Sequence, residues 1–245
     1  MKISWKAFKK IDNWGDFFLD YLGLKKGHII YKIGTNKIKL RAGTIDKSIL
    51  TEIALTDKYF PKKLKLREKS TIIDLGAHIG IFSILIGSKF PNAKIYAIEP
   101  LKKNFELLIE QTKINKTNIK PIKIAITNKK GQAKLYCGRH SARGSLYRKE
   151  GNNYESVETT TLKNFFKKEN IKKCDLLKID IEGGEYPTLY STPKKIFKKI
   201  ERILLEIHPI EGEDKNALIK FLKEKGFKIF LKEKNFIFAI NNNLK

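Results

Sequence analysis

Apolar residues along this chain form short continuous runs, and between the runs they recur every three or four positions. The runs read TIIDL, KIYAIE, IKIAI, CDLLKIDI and RILLEIH, and they lie between residues 71 and 208. Each has the length of a buried strand, whereas an intervening segment such as 101–112 has the period of a helix with one apolar face. Buried strands that alternate with helices predict a parallel sheet covered on both sides.

The two ends of the chain depart from this alternation. Near the C-terminus, FKIFL and FIFAI follow a helix that we expect to end at Gly226, and they predict an antiparallel hairpin. Residues 3–22 have aromatic and aliphatic side chains at helical spacing, and residues 28–40 predict two short strands. We therefore predict a doubly wound α/β fold, in which a mostly parallel, seven-stranded sheet ends in an antiparallel hairpin.

The predicted domain organisation has a small N-terminal part and a main domain. Residues 1–60 are predicted to form a helix-and-hairpin appendage with a helix at 46–55, and residues 61–245 are predicted to form the α/β domain. An insertion at about 128–160 interrupts the alternation and contains possible strands at 132–137 and 156–160.

The net charge of +25 invites a nucleic-acid interpretation. However, only six of the 51 basic residues are arginine, and the lysines are spread along the chain rather than gathered in one block. This distribution favours a solvated coat of lysine over a binding surface for a polyanion.

The chain shows no sign of export or of membrane insertion. Its longest apolar run, IGIFSILIG, is far shorter than the ~20 residues that span a bilayer. The start, MKISWKAFKK, lacks the continuous apolar region of a secretory signal. Cys137 and Cys174 have no metal-ligand spacing and suggest free thiols in a reducing compartment. We therefore expect a cytoplasmic protein without a transmembrane segment.

A glycine loop follows the first predicted strand of the sheet, in the sequence IIDLGAHIG. Dinucleotide sites use Gly-x-Gly-x-x-Gly, but here the middle glycine is absent and Asp74 precedes the first glycine by two residues. S-adenosylmethionine (SAM) has no phosphate and carries an ammonium and a sulfonium, so a carboxylate near the loop suits it. We assign Asp74, Gly76 and Gly80 to its methionine end and count His78 among the cofactor-binding residues. Alternatively, the loop is a tight turn in an unrelated α/β protein.

Glu99 closes the strand KIYAIE, 25 residues after Asp74. An acid at the end of the second strand can accept hydrogen bonds from both ribose hydroxyls of a nucleoside. We assign it to the cofactor, although a solvated acid at a strand end is the plainer alternative.

Acidic residues also follow the later strands. LLKIDIEGGEY places Asp180 and Glu182 just beyond a central strand, where open α/β sheets bind ligands. LLEIHP places Glu206 and His208 after the next strand, and a histidine can act as a general base near neutral pH. We assign Asp180, Glu182 and His208 to catalysis. Because no spacing of these residues demands a metal, we predict none. The alternative is a divalent cation bound by the four residues Asp180, Glu182, Glu206 and His208.

In this order the motifs resemble those of the FkbM family of SAM-dependent O-methyltransferases. The matching elements are LRAGTIDKSILTEI, IIDLGAHIGIFSI, AIEP with Asn104 after it, TTTLKNFF, LLKIDIEGGEY and ILLEIHP, across most of residues 40–210. The resemblance implies methyl transfer to a hydroxyl of a sugar, polyketide, glycolipid or related small molecule. It implies SAM binding by Asp74, Gly76, Gly80 and Glu99, and a reaction site lined by Asp180, Glu182 and His208.

The insertion contains a candidate acceptor-binding loop. Arg139, Arg143 and Arg148 lie within ten residues in a chain that otherwise uses lysine almost exclusively. Because a guanidinium binds carboxylate or phosphate through two parallel hydrogen bonds, we expect these residues to hold an anionic acceptor. A surface loop whose arginines pair with nearby acids is the alternative.

Two other functions are compatible with the same motifs. One is an RNA (tRNA) methyltransferase, which the positive charge would suit, although no base-clamping motif or RNA-binding module is recognisable. The other is a SAM-fold binding protein without catalytic activity.

Overall fold

The computed structural model describes residues 10–56, 58–137, 144–149 and 152–244. Its centre is a seven-stranded sheet, as predicted. The strands are β3 (Thr71–Leu75), β4 (Lys94–Ile98), β5 (Ile119–Ile122), β10 (Leu176–Ile179), β11 (Arg202–Glu206), β12 (Phe227–Glu233) and β13 (Phe236–Asn241). Their spatial order is β12-β13-β11-β10-β3-β4-β5. Only the pairings of β13 with β11 and β12 are antiparallel, so the C-terminal hairpin extends a parallel sheet.

Helices cover both faces of this sheet. They are α1 (Trp14–Tyr21), α2 (Asp46–Leu55), α3 (Ile81–Lys89), α4 (Lys102–Asn115), α5 (Leu162–Lys168), α6 (Glu185–Tyr190), α7 (Lys194–Phe197) and α8 (Lys215–Glu224). The strands are mostly apolar because each face packs against its own core, with Ile72 in one core and Ile73 in the other. No helix in the described ranges is both long and apolar enough to cross a membrane.

The chain order of the strands reverses at β3. The strands β4 and β5 extend the sheet on one side of it, and β10 and β11 extend it on the other. Crossovers that leave a strand in opposite directions open a crevice at its carboxyl end, where open α/β sheets bind ligands.

The predicted strand IKIAI is wrong as a single element. Ile122 ends β5 in the central sheet, whereas Ala125 begins β6 (Ala125–Thr127), which belongs to a different sheet. Both halves are apolar because each packs against a core, so the hydrophobic pattern does not reveal that Lys123 and Ile124 lie between two sheets.

The insertion forms most of this second sheet. The remaining strands are β7 (Gly131–Cys137), β8 (Gly144–Ser145) and β9 (Tyr154–Thr161), and the order is β6-β9-β7-β8. The two strands predicted within the insertion are therefore confirmed as β7 and β9.

The N-terminal hairpin consists of β1 (His28–Ile33) and β2 (Asn36–Arg41). The hairpin packs directly on the main domain, because its residues Ile38 and Leu40 share one core with Ile72. Gln111 of α4 extends this contact by exchanging hydrogen bonds of 2.9 and 3.0 Å with the backbone of Lys39. The boundary at residue 60 stays a prediction, and residues 3–9 of the helical pattern lie outside the described ranges.

A buried ion pair fastens the end of β2 to the start of α2. Arg41 donates through Nε and Nη2 to the two carboxylate oxygens of Asp46, both at 2.8 Å, and the Asp46 side chain has no solvent exposure. A buried carboxylate that loses its partner is strongly destabilising.

We predict that Arg41→Ala lowers the free energy of unfolding by about 3–5 kcal/mol, because Asp46 would remain buried without its countercharge. Urea denaturation measures the change. The control is Lys25→Ala, which removes a solvent-exposed pair with Asp16 and should cost less than about 1 kcal/mol. Equal effects of the two substitutions would contradict the prediction.

Candidate active site

A cleft opens at the carboxyl ends of the central strands, where the order of the sheet reverses. The predicted site residues that line it are Gly76, His78, Glu99, Asp180, Glu182 and His208. The predicted cofactor residues Asp74 and Gly80 lie behind its surface. The crevice expected from the topology therefore contains both the predicted cofactor end and the predicted reaction site.

The glycine loop passes very close to the loop after β10. Gly76 has a φ of +75°, and a Cβ there would lie 1.8 Å from the carbonyl oxygen of Asp180. Gly80 has a φ of +90°, and a Cβ there would lie 2.5 Å from Leu108 of α4. These glycines allow close approach of the backbone to neighbouring elements, and Gly80 acts through packing rather than at the cleft surface.

Asp74 lies beneath the loop in an ion pair. Its fully buried carboxylate lies 3.0 Å from Nζ of Lys178 and accepts a 2.7 Å hydrogen bond from Ser83. Lys178 also donates to the carbonyl oxygen of Gly76 at 2.8 Å and lies 3.4 Å from Asp180. Burial alone would lower the pKa of Lys178, but Asp74 and Asp180 raise it above its ordinary value, so the ammonium stays charged. Direct contact of Asp74 with a ligand would require this pair to open.

Glu99 presents a buried carboxylate at the end of β4. It accepts hydrogen bonds from the backbone N–H groups of His78 at 2.9 Å and Leu101 at 3.0 Å, and from the Asn104 amide at 3.5 Å. Burial raises the pKa of Glu99 to about 7 against the opposing effect of these hydrogen bonds. These donors fix the orientation of the Glu99 carboxylate, and its assignment to the cofactor stays a prediction.

His78 is held by residues whose role the sequence did not reveal. Its Nε2 lies 3.3 Å from Nη2 of Arg41, which also donates to Asn104 at 2.9 Å. Burial lowers the pKa of His78 to about 4, so the ring is neutral, and its Nδ1 is buried with no hydrogen-bond partner within the described ranges. The segment LRAGTIDKSILTEI signalled this region, but the pairing of Arg41 with a histidine 37 positions away required the structure.

The reaction-site residues meet around His208. Its Nε2 lies 3.5 Å from Glu182 and 3.9 Å from Asp180, while its Nδ1 lies 2.9 Å from Glu185. Burial opposes protonation, but the hydrogen bond that Nδ1 donates to Glu185 and the nearby acidic charges raise the pKa of His208 to about 9. Because both ring nitrogens face carboxylate oxygens, this geometry suits a donor better than the predicted general base.

The insertion closes one side of the cleft through Glu182. Glu182 has a φ of +54°, and its carbonyl oxygen accepts a 2.6 Å hydrogen bond from Ser145 of β8. Arg148 forms an ion pair with the Glu182 carboxylate. The guanidinium is thus engaged by an acid of the protein, while Arg139 and Arg143 lie outside the described residues.

Further acids line the wall between α2 and β11. Glu206 accepts a 2.9 Å hydrogen bond from Tyr59, and burial together with Asp180 raises its pKa. Glu52 lies on the same cleft and pairs with Lys58. Sequence reasoning did not identify Tyr59 or Glu52, since neither belongs to a motif after a strand. The cleft is thus rich in carboxylates, although the chain carries a net charge of +25.

Two curated methyltransferases are similar to this chain in sequence. Methyltransferase sdnD of Sordaria araneosa is 24% identical over 191 residues, which cover 64% of this chain and 73% of that protein. The 31-O-demethyl-FK506 methyltransferase FkbM of Streptomyces tacrolimicus is 24% identical over 206 residues, 71% of this chain and 79% of that protein.

A crystal structure of a methyltransferase FkbM from Methylobacillus flagellatus KT shares the fold, with a TM-score of 0.52 and 13% identity. The superposition covers 75% of this chain but 47% of the other, so this chain spans about half of that protein's length. The family model for the methyltransferase FkbM domain matches residues 74–229, which include the glycine loop, Glu99 and the acidic cluster around His208. The chain therefore belongs to the FkbM family of SAM-dependent methyltransferases.

Proposed function

We propose that this protein transfers a methyl group from SAM to a hydroxyl oxygen of a sugar, glycan, glycolipid or related small molecule. The observation that carries the proposal is one cleft in which the buried acceptor Glu99 and the cluster of Asp180, Glu182 and His208 face the same space. The relative from Streptomyces tacrolimicus supports oxygen as the target, since its name describes a 31-O-demethyl compound as substrate.

The residues at the glycine loop fit SAM. Glu99 offers two carboxylate oxygens for ribose hydroxyls, and the close turn at Gly76 leaves the loop backbone exposed to the cleft. His78 adds a buried Nδ1 that can donate to a polar group of the cofactor. In this assignment Asp74 and Gly80 support the loop from behind, Asp74 through Lys178 and Gly80 through its contact with α4.

The chemistry requires alignment of the acceptor more than activation of it. SAM supplies an electrophilic methyl group, and its sulfur keeps the electron pair of the broken carbon–sulfur bond when the new carbon–oxygen bond forms. The polar side chains beyond β10 and β11 position the hydroxyl for in-line attack. Asp180 accepts the hydroxyl proton, because both nitrogens of His208 already face carboxylates.

The acidic lining weighs against RNA as the acceptor. Phosphate groups near Asp180, Glu182, Glu206 and Glu52 would meet like charges, whereas hydroxyl groups would find hydrogen-bond acceptors. The net charge of +25 is the observation that keeps RNA as a second candidate.

Labelled SAM incubated with the protein and a fractionated lysate tests the proposal. Label should enter the glycan or small-molecule pool and resist the mild treatments that cleave methyl esters. Label in RNA would favour the second candidate, and SAM binding without transfer to any pool would favour a binding protein.

We predict that affinity for S-adenosylhomocysteine rises between about pH 6 and 8. Glu99 has a pKa of about 7, and its ionised form accepts stronger hydrogen bonds from hydroxyls than its protonated form. Glu99→Gln should weaken binding about tenfold at pH 8, where one charge-assisted hydrogen bond of about 1.5–3 kcal/mol is lost, and should flatten the pH profile. Calorimetry measures both effects.

The matched control for Glu99 is Glu106→Gln, which changes an exposed acid on α4. It should keep the affinity and the pH profile of the wild type. A wild-type profile in the Glu99 variant would remove this residue from the cofactor site.

We predict that Asp180→Asn lowers kcat about 10²- to 10⁴-fold, the usual cost of losing a general base, and leaves cofactor affinity within about threefold. Steady-state kinetics on the acceptor found above and calorimetry with S-adenosylhomocysteine separate the two effects. Glu224→Gln, an exposed substitution on α8, is the control for loss of one negative charge. Full activity of the Asp180 variant would show that another group takes the proton.

A further inference from the structure

Three potential metal ligands converge at the acceptor side of the cleft. One oxygen of Asp180, one oxygen of Glu182 and Nε2 of His208 all lie within 4.8 Å of one another. Asp180 and Glu182 follow β10, His208 follows β11, and the two strands pair in parallel. The sequence has no metal-ligand spacing because the third ligand comes from the neighbouring strand.

The histidine is oriented from behind by a buried carboxylate. Glu185 has no exposed side-chain surface, and it accepts hydrogen bonds from the backbone N–H groups of Ile181 at 3.0 Å and Gly183 at 2.9 Å. Its oxygen lies 2.9 Å from Nδ1 of His208, which directs Nε2 toward Asp180 and Glu182. A carboxylate that holds the far nitrogen of a histidine is a common support for metal-ligating imidazoles.

The separations are close to those of a coordination sphere. Ligands ~2.1 Å from one octahedral cation lie ~3.0 Å apart when they are neighbours. His208 Nε2 is 3.5 Å from Glu182 and 3.9 Å from Asp180, so shifts below about 1 Å in these side chains would suffice.

Positive groups of the protein compete for the same carboxylates. Arg148 pairs with Glu182, and Lys178 lies 3.4 Å from Asp180. The buried ammonium of Lys178 is held by Asp74, whereas Arg148 belongs to the insertion and its side chain is about one-third exposed. A cation entering the cleft would therefore displace Arg148 rather than Lys178.

We infer that Asp180, Glu182 and His208 bind a divalent cation of the Mn²⁺ type, which holds the acceptor's hydroxyl oxygen. Two carboxylates and one imidazole suit Mn²⁺, because oxygen ligands favour hard cations and transition metals accept imidazole. The Nε2 proton of His208 leaves to solvent as the cation binds. Three protein ligands leave coordination positions for a hydroxyl and water. This inference rests on the proposed function only for the identity of the group that the cation holds.

Electron paramagnetic resonance of added Mn²⁺ tests the site without a turnover assay, because bound Mn²⁺ loses the signal of the free aqueous ion. The wild-type protein should bind Mn²⁺ with a dissociation constant of about 0.1 mM or tighter. Glu182→Gln should weaken binding about tenfold or more, and Glu185→Gln should weaken it 10- to 100-fold, as outer-shell changes do. Glu110→Gln, an exposed acid of α4 paired with Lys39, is the matched control and should bind as the wild type does.

Arg148→Ala is expected to change the Mn²⁺ affinity in the direction opposite to that caused by misfolding. Removal of the competing guanidinium should tighten Mn²⁺ binding several-fold, while a merely unfolded variant would bind more weakly. Thermal unfolding and S-adenosylhomocysteine binding, measured on the same samples, confirm that each variant is folded.

The outcomes separate this inference from the proposed function. Wild type that binds S-adenosylhomocysteine but not Mn²⁺ up to about 1 mM, the weak end of protein sites, would overturn the metal site and leave the methyltransferase proposal intact. Equal Mn²⁺ affinity in the wild type and Glu182→Gln would also overturn it. Mn²⁺ binding that Glu182→Gln weakens and Arg148→Ala tightens, with no methyl transfer to a hydroxyl, would support the site and contradict the proposed acceptor.

Discussion

The buried ammonium of Lys178 connects the two loops from which the cleft is built. It lies 3.0 Å from Asp74 and 3.4 Å from Asp180, and it donates to the carbonyl oxygen of Gly76. A charge without solvent is tolerated only where countercharges and hydrogen bonds surround it, so these distances leave little freedom. The glycine loop after β3 and the acidic loop after β10 are therefore positioned by one group. In the proposed reaction one loop serves the cofactor and the other the acceptor, so Lys178 would set the distance between them.

The second sheet brings the insertion onto this framework. Ser145 of β8 donates to the carbonyl oxygen of Glu182, and Thr188 of α6 donates to the carbonyl oxygen of Ile126 in β6 at 3.2 Å. Thr127 and Tyr147 add a hydroxyl–hydroxyl contact between β6 and the segment after β8. The insertion thus forms a wall of the cleft, and its residue Arg148 pairs with Glu182 of the proposed reaction site.

Charge is divided between the surface and the cleft. Lysine gives the chain a net charge of +25, while carboxylates outnumber basic side chains in the cleft lining. The half-buried acids Asp180, Glu182 and Glu206 are costly unless they meet a cation, a hydrogen-bond donor or a substrate. A hydroxyl acceptor and a divalent cation both satisfy that requirement. The positive charge of the surface lysines does not indicate which ligand enters the cleft.

The sequence by itself determined the α/β class, the seven-stranded sheet with its antiparallel end, and the positions of Gly76, Glu99, Asp180 and His208 at strand ends. These features are local, since the period of the apolar residues reports burial and the strand ends of a parallel sheet share one edge. The division of IKIAI between two sheets was not readable, because either sheet buries its half equally well.

Only the tertiary structure decided what each polar group faces. It placed Asp74 against Lys178 behind the cleft, gave both nitrogens of His208 carboxylate neighbours, and brought Arg41 to His78 across 37 positions of sequence. Such pairings depend on which strands lie side by side and on how far each side chain reaches. Those distances are set by the packing of the whole chain, so the acids predicted from single strands became one acidic cluster only in the folded protein.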